Sequence, residues 1–304
     1  MDENQALPAV TTGTSRRAVL AGAATAGLAL AALGLPGAVP RAAAAPSYSP
    51  IPLLPGEISR TDTRLTRLKK KPYECIDVSI QGDIARIFVP HTAIPKSKTN
   101  FGCVWFYHSN GSTYTSLDGA FKYGAEMAVD EGSICVCPNY GGSLWTNQTS
   151  IQAQVNASLY MNSVWRLGMN FMRANSGGGP LMTYAYGNAL VPRTRGIYLA
   201  NAAYDMEDLY ARDPARIGPV YNNDPALVAA TNPARLPASS WTGGRIKVVV
   251  SEADYIVPPA LHGIALVTAA APVAVDTRVQ WHDEGHVVPA WTQQDMIATF
   301  KSWM

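Results

Sequence analysis

The sequence predicts an α/β fold, a mostly parallel central sheet flanked by helices, over residues 70–304. Three observations lead there. From residue 73 onward, apolar runs of strand length alternate with segments whose apolar residues recur at helical spacing. Several of the strand-length runs, FGCVWFYH and RIKVVVSEA among them, are apolar throughout, as strands covered on both faces require. One long, weakly periodic and Pro/Asn/Asp-rich segment, 204–242, interrupts the alternation between two strands, and such connections in compact domains are usually lids or linkers.

The elements follow in order. ECIDVSI and DIARIFVP, joined by Gln81-Gly82, read as a strand pair, and FGCVWFYH (101–108) as a buried strand. GAFKYGAEMAVDEG is a helix ending on Gly132, and SICVCPNY is another buried strand. SIQAQVNASLYMNSVWRLG is a helix, MNFMRANS a short strand, and GGGPLMTYAYGNAL a helix that follows glycines. RGIYLANAAY and RIKVVVSEADY are strands on either side of 204–242, which is expected to cap the domain. PPALHGIALVTAA is a helix, DTRVQWHDEGH a strand with its loop, and WTQQDMIATFKSWM a terminal helix.

Ahead of this domain, residues 1–44 read as an export signal. Arg16-Arg17 precedes a Gly/Ala-rich apolar run, Ala18 to Leu35, and small residues at Ala42-Ala43-Ala44 supply a cleavage site after Ala44. Paired arginines mark the twin-arginine route, so the export machinery is the expected partner. No second apolar stretch reaches spanning length, and stable membrane insertion after cleavage is not expected. Residues 45–69, Pro-rich and then polar, are expected to form an extension on the domain surface. With 24 Lys+Arg against 22 Asp+Glu and no long single-sign run, the chain lacks the basic face of a nucleic-acid binder. Cys75, Cys103, Cys135 and Cys137 have no metal or redox spacing. Cys135 and Cys137 alternate in one strand and are poor partners for each other, so buried thiols are expected for at least two of the four.

In parallel sheets the functional loops lie at the carboxyl ends of the strands. Three such loops carry one chemistry: Ser176 after MNFMRAN, Asp254 after RIKVVVSEA and His286 after DTRVQWHDEG. A serine hydroxyl is a poor nucleophile until a histidine takes its proton. That histidine needs a buried carboxylate to fix its tautomer, and the tetrahedral oxyanion needs fixed N–H donors. Gly177 is the expected first donor, and the loop YHSNGST supplies the second, Asn110 with Ser109 as its rival. Ser112 and Ser143 are rival nucleophiles, but neither precedes a Gly-rich helix start. SGGG lacks the Gly-Lys-Ser/Thr ending of a phosphate cradle. Asp254 also suits a helix cap before Pro258-Pro259. His282 and His286 have helical metal spacing but sit on a strand end and loop, so neither a metal nor a cofactor is expected.

FYHSNG, ANSGGG, SEADYIVPP and DEGH together resemble the oxyanion loop, nucleophile elbow, acid loop and histidine loop of the α/β-hydrolase superfamily, from about residue 70 to the C-terminus. Two positions depart from its commonest pattern: Ala174 stands where the elbow usually has glycine, and Ser109 stands where the oxyanion loop does. The resemblance implies an α/β-hydrolase fold and an exported serine hydrolase that cleaves a small-molecule or lipid-like carboxylic ester through an acyl-enzyme. Peptidase, amidase or acyltransferase chemistry on the same triad, and a non-catalytic binding protein, are the alternatives. Tyr140, Trp145, Tyr204 and Trp241 are the candidate walls of the acyl pocket.

Overall fold

The computed structural model describes residues 49–61 and 63–304; the expected export signal and its Ala44 site lie outside the described residues. Among the described residues ten strands form one sheet: β1 (Glu57–Arg60), β2 (Arg64–Leu65), β3 (Pro72–Ile80), β4 (Asp83–Pro90), β5 (Phe101–Tyr107), β6 (Ile134–Pro138), β7 (Leu167–Asn175), β8 (Thr194–Ala200), β9 (Arg245–Ser251) and β10 (Asp276–His282). Their order is β1-β3-β4-β6-β5-β7-β8-β9-β10, with β2 also pairing with β3. The six strands β5 to β10 run parallel, whereas β3, β4 and β6 pair antiparallel in succession. The β3–β4 hairpin closes on Gln81 and Gly82, both with positive φ, which matches the twist of a two-residue hairpin turn.

Helices α1 (Lys122–Asp130), α2 (Gln148–Val164) and α3 (Gly179–Gly187) follow β5, β6 and β7. The 204–242 segment holds three short ones, α4 (Met206–Arg212), α5 (Pro214–Ile217) and α6 (Pro225–Ala230); α7 (Gly263–Ala270) and α8 (Thr292–Ser302) complete the chain. Alternation along each strand divides the core into two layers. Trp105, Met172, Leu199 and Val248 face one layer with Met161 of α2, Leu181 of α3 and Leu266 of α7. Val104, Phe171, Tyr198 and Val249 face the other, with Ala125 of α1 and Met296 and Phe300 of α8. The sheet is buried on both faces, which is why its strands read as unbroken apolar runs.

Residues 49–61 and 63–69 are more than a surface extension. β1 and β2 extend the sheet by pairing with β3, and Ile51 and Leu54 enter the core. All four cysteines are buried and free. Burial pushes every thiol up, Cys75 to about 11, so none offers a reactive thiolate. Among the described residues no helix is long and apolar enough to cross a membrane.

The cap segment is tied down at its start by His262, which is fully buried. Its Nδ1 accepts the N–H groups of Tyr204 and Asp205, both at 3.1 Å, so the ring is neutral with its proton on Nε2, 3.1 Å from Asp208 Oδ2. Burial pushes its pKa down from 6.5 to about 4. Between these values the unfolded chain takes up a proton that the folded chain excludes. Stability is therefore complete above pH 6.5 and falls as pH drops towards 4. At 1.36 kcal/mol per pH unit the full loss is about 3 kcal/mol. Urea unfolding at pH 7 and pH 4.5 is expected to show a larger drop for the wild type than for His262→Gln. Equal drops would remove His262 from the acid sensitivity of the fold.

Candidate active site

β7 ends at Asn175 and the chain reverses at Ser176, whose φ is +45°, before a helical turn runs into α3. A non-glycine residue pays about 1–2 kcal/mol in this left-handed region, so the surroundings must over-determine it. They do so through close backbone approach. The Ser176 carbonyl accepts the Ala203 N–H at 3.0 Å. A Cβ on Gly178 would overlap the Tyr107 carbonyl oxygen, and one on Gly179 would overlap that of Ala203. Ala174, in place of the usual glycine, is buried on the α2/α3 side of the sheet.

The three residues expected from the loops come together. Ser176 Oγ lies 2.9 Å from His286 Nε2, and His286 Nδ1 lies 2.7 Å from Asp254 Oδ2. Asp254 is buried. Its Oδ1 accepts the N–H groups of Ile256 (3.0 Å) and Val257 (2.8 Å), so it caps its own loop, while α7 begins only at Gly263. Burial alone would raise the Asp254 pKa. Hydrogen bonds from His286, the Val257 N–H and Asn201 outweigh it and hold the carboxyl below its ordinary value. His286 itself sits on the loop beyond β10, not on the strand.

Asn201 is the neighbour of these side chains that sequence reasoning missed. Directly after β8, with φ +43°, it donates from Nδ2 to Asp254 Oδ2 at 3.0 Å and to the Gly285 carbonyl at 2.7 Å. Its Oδ1 lies 2.8 Å from His282 Nε2, and His282 Nδ1 accepts the Glu284 N–H at 3.2 Å. These bonds fix the amide orientation and the His282 tautomer. Asn201 thereby ties Asp254 to the loop that carries His286, and His282 is a support for that loop. The available signal was its place at the carboxyl end of a parallel strand, the position already used to select Ser176 and Asp254.

The Gly177 N–H is at the start of a helical turn and has no preceding helical acceptor. The Asn110 nitrogen is 2.8 Å from where a Gly177 Cβ would stand, and among the described residues its N–H has no partner. The Gly177 backbone and the Asn110 nitrogen are therefore close neighbours at the serine turn. The next amide, Gly111, is used by Ser143 Oγ at 2.6 Å, and neither Ser143 nor Ser112 has a histidine partner. His108 lies 3.0 Å from both the Ser109 and Asn139 carbonyls and joins the loop after β5 to the loop after β6.

Of the four expected pocket walls, two border one cavity next to Gly177. Tyr140 and Trp145, both with positive φ, border a cavity of about 20 Å³ with Asn110, Gly177 and Leu181. Tyr204 and Trp241 do not. Their rings meet edge to face at 6.2 Å, and Trp241 packs near Gly187 at the end of α3. Both belong to the core because Gly187 leaves room for the indole, and burial outweighs the unpaired Tyr204 hydroxyl and Trp241 N–H. Among the described residues no cluster of three or more His, Cys, Asp or Glu side chains is placed to hold a metal.

No family model and no curated protein matches the sequence. Solved structures do resemble the fold. An acetyl xylan esterase from Paenibacillus sp. R4 superposes with a TM-score of 0.56 at 13% identity, over 81% of this chain and 89% of its own. An S-formylglutathione hydrolase from Agrobacterium tumefaciens gives 0.56 at 14%, over 82% and 100%. An acylaminoacyl peptidase from Pyrococcus horikoshii gives 0.61 at 12%, over 78% of this chain. The chain spans only 42% of that peptidase and 36% of a bifunctional GH43-CE protein of Bacteroides eggerthii. With six parallel strands in this order, a serine on the turn after β7 and these structural likenesses, the chain has the α/β-hydrolase fold.

Proposed function

We propose that the protein is a serine hydrolase that cleaves carboxylic esters of small-molecule or lipid-like alcohols through an acyl-enzyme on Ser176. The observation that carries this reading is the unbroken hydrogen-bond chain Ser176–His286–Asp254, at 2.9 and 2.7 Å, on a strained turn.

Ser176 Oγ attacks the ester carbonyl carbon as its proton passes to His286 Nε2. Asp254, kept ionised by its donors, balances the imidazolium through Nδ1. The oxyanion sits between the Gly177 and Asn110 N–H groups, where one such donor contributes about 3–4 kcal/mol. The tetrahedral intermediate collapses with cleavage of the carbon–oxygen bond, and the leaving alkoxide takes the proton from Nε2. Water then repeats the sequence, giving up its proton to His286 and releasing the carboxylic acid and free Ser176.

An activated fluorophosphonate should label the folded protein at Ser176, and Ser176→Ala should abolish the label. An unlabelled, folded wild type would leave a non-catalytic binding protein as the better account. Faster turnover of peptide anilides than of p-nitrophenyl esters would move the reading to a peptidase. Export by the twin-arginine machinery, with cleavage after Ala44, belongs to the same proposal and rests on Arg16-Arg17 and the following apolar run. N-terminal sequencing of the secreted protein checks it, with Ala45 as the expected first residue.

A further inference from the structure

The hydrolase reading leaves the acyl group unspecified, and the geometry beside Ser176 narrows it. At the tetrahedral carbon, one substituent is Ser176 Oγ and one is the oxyanion between Gly177 and Asn110. The leaving oxygen must face His286 Nε2 to be protonated, so the acyl chain points away from His286. Next to Gly177 is a cavity bordered also by Asn110, Trp145, Tyr140 and Leu181; neither Ser176 nor His286 lines it. Its volume is about 20 Å³, where a single water needs roughly 10–15 Å³. That is room for a methyl group and little more.

Resting on the hydrolase reading, we propose that Trp145 closes the acyl side of the site and restricts the enzyme to acetyl esters. The indole is 3.1 Å from where a Gly177 Cβ would stand, so it presses on the residue that supplies the oxyanion N–H. It is also held from outside. Its carbonyl accepts Ser150 Oγ–H at 2.7 Å, and the Tyr221 hydroxyl meets the next residue, Thr146, at N (3.0 Å) and Oγ1 (2.9 Å). The Arg216 guanidinium of the cap lies 5.7 Å over the ring, and Met206, Ile217 and Val257 pack in the same cluster. The cap thus sets acyl length by fixing Trp145, at a φ of +53° that the chain would not choose unaided.

The test is a panel of p-nitrophenyl esters from acetate to octanoate. For the wild type, kcat/KM is expected to fall at least about tenfold from acetate to butyrate, since a pocket discriminates one methylene by roughly 10–200-fold. In Trp145→Gly, whose new residue suits the positive φ, the butyrate-to-acetate ratio is expected to rise at least tenfold. Should that variant fail to fold, Leu181→Ala opens the same cavity from α3 and is read the same way. A wild type that takes octanoate as well as acetate overturns the proposal by itself, as does an unchanged ratio in a folded variant. Failure of the hydrolase reading looks different: no ester is cleaved and no fluorophosphonate is taken up at Ser176.

Discussion

Asp254→Asn is expected to lower kcat on p-nitrophenyl acetate by on the order of 10⁴-fold and, because its NH₂ end would also face the Asn201 Nδ2 donor, to lower the thermal unfolding midpoint. The carboxylate now accepts four hydrogen bonds, two backbone N–H groups on Oδ1 and the His286 and Asn201 donors on Oδ2. An amide has only one accepting end. The Ile256 and Val257 N–H groups cannot turn, so they keep the oxygen. The NH₂ end then faces His286 Nδ1, which must accept, and the imidazole proton moves to Nε2. A ring protonated at Nε2 cannot take the proton of Ser176. The loss should appear in kcat with KM little changed, because the substrate contacts are untouched. A variant retaining a tenth of wild-type kcat would mean that Asp254 does not set the His286 tautomer.

Gly178→Ala is expected to cost both stability and activity. Its methyl group would fall on the carbonyl oxygens of Tyr107 and His108, and these belong to the end of β5 and the start of the oxyanion loop. Neither is the free end of a side chain, so backbone must move. Overpacking of this kind costs about 3 kcal/mol, which for a domain of this size lowers Tm by on the order of 10 °C. The displaced loop carries Asn110. A shift of about 1 Å at that N–H should reduce kcat by on the order of 10²-fold in whatever fraction stays folded. Calorimetry with single-turnover kinetics separates the two losses, and a variant with wild-type Tm would mean that the loop yields at no cost.

What could be read from sequence followed the pattern of burial and strand ends. Runs such as FGCVWFYH and RIKVVVSEA announced themselves because both faces of the sheet are covered. Ser176, Asp254 and His286 stood out because each follows such a run. β1 and β2 did not, since four- and two-residue edge strands such as EISR and RL carry no period, and their pairing is settled by β3. Tyr204 and Trp241 misled because aromatic residues in an irregular segment show no phase that separates a pocket wall from core. Asn201 escaped because its chemistry lies entirely in what it touches: an asparagine after a strand reads as turn former until Asp254 and Gly285 are beside it.

The bond from the Ala203 N–H to the Ser176 carbonyl, with Gly179 pressed against the Ala203 carbonyl, has a consequence for exchanging parts between proteins of this fold. The first residues after β8 belong mechanically to the serine turn, although they open the segment above it. A chimera that imports a foreign segment from residue 201 onward would replace the brace of its own Ser176 turn. A graft joined after Asp205 would keep that brace and the two N–H groups that hold His262, and it could vary what lies over Trp145 freely. The modular boundary in this molecule is therefore offset from the strand end by five residues, from Ala200 to Asp205.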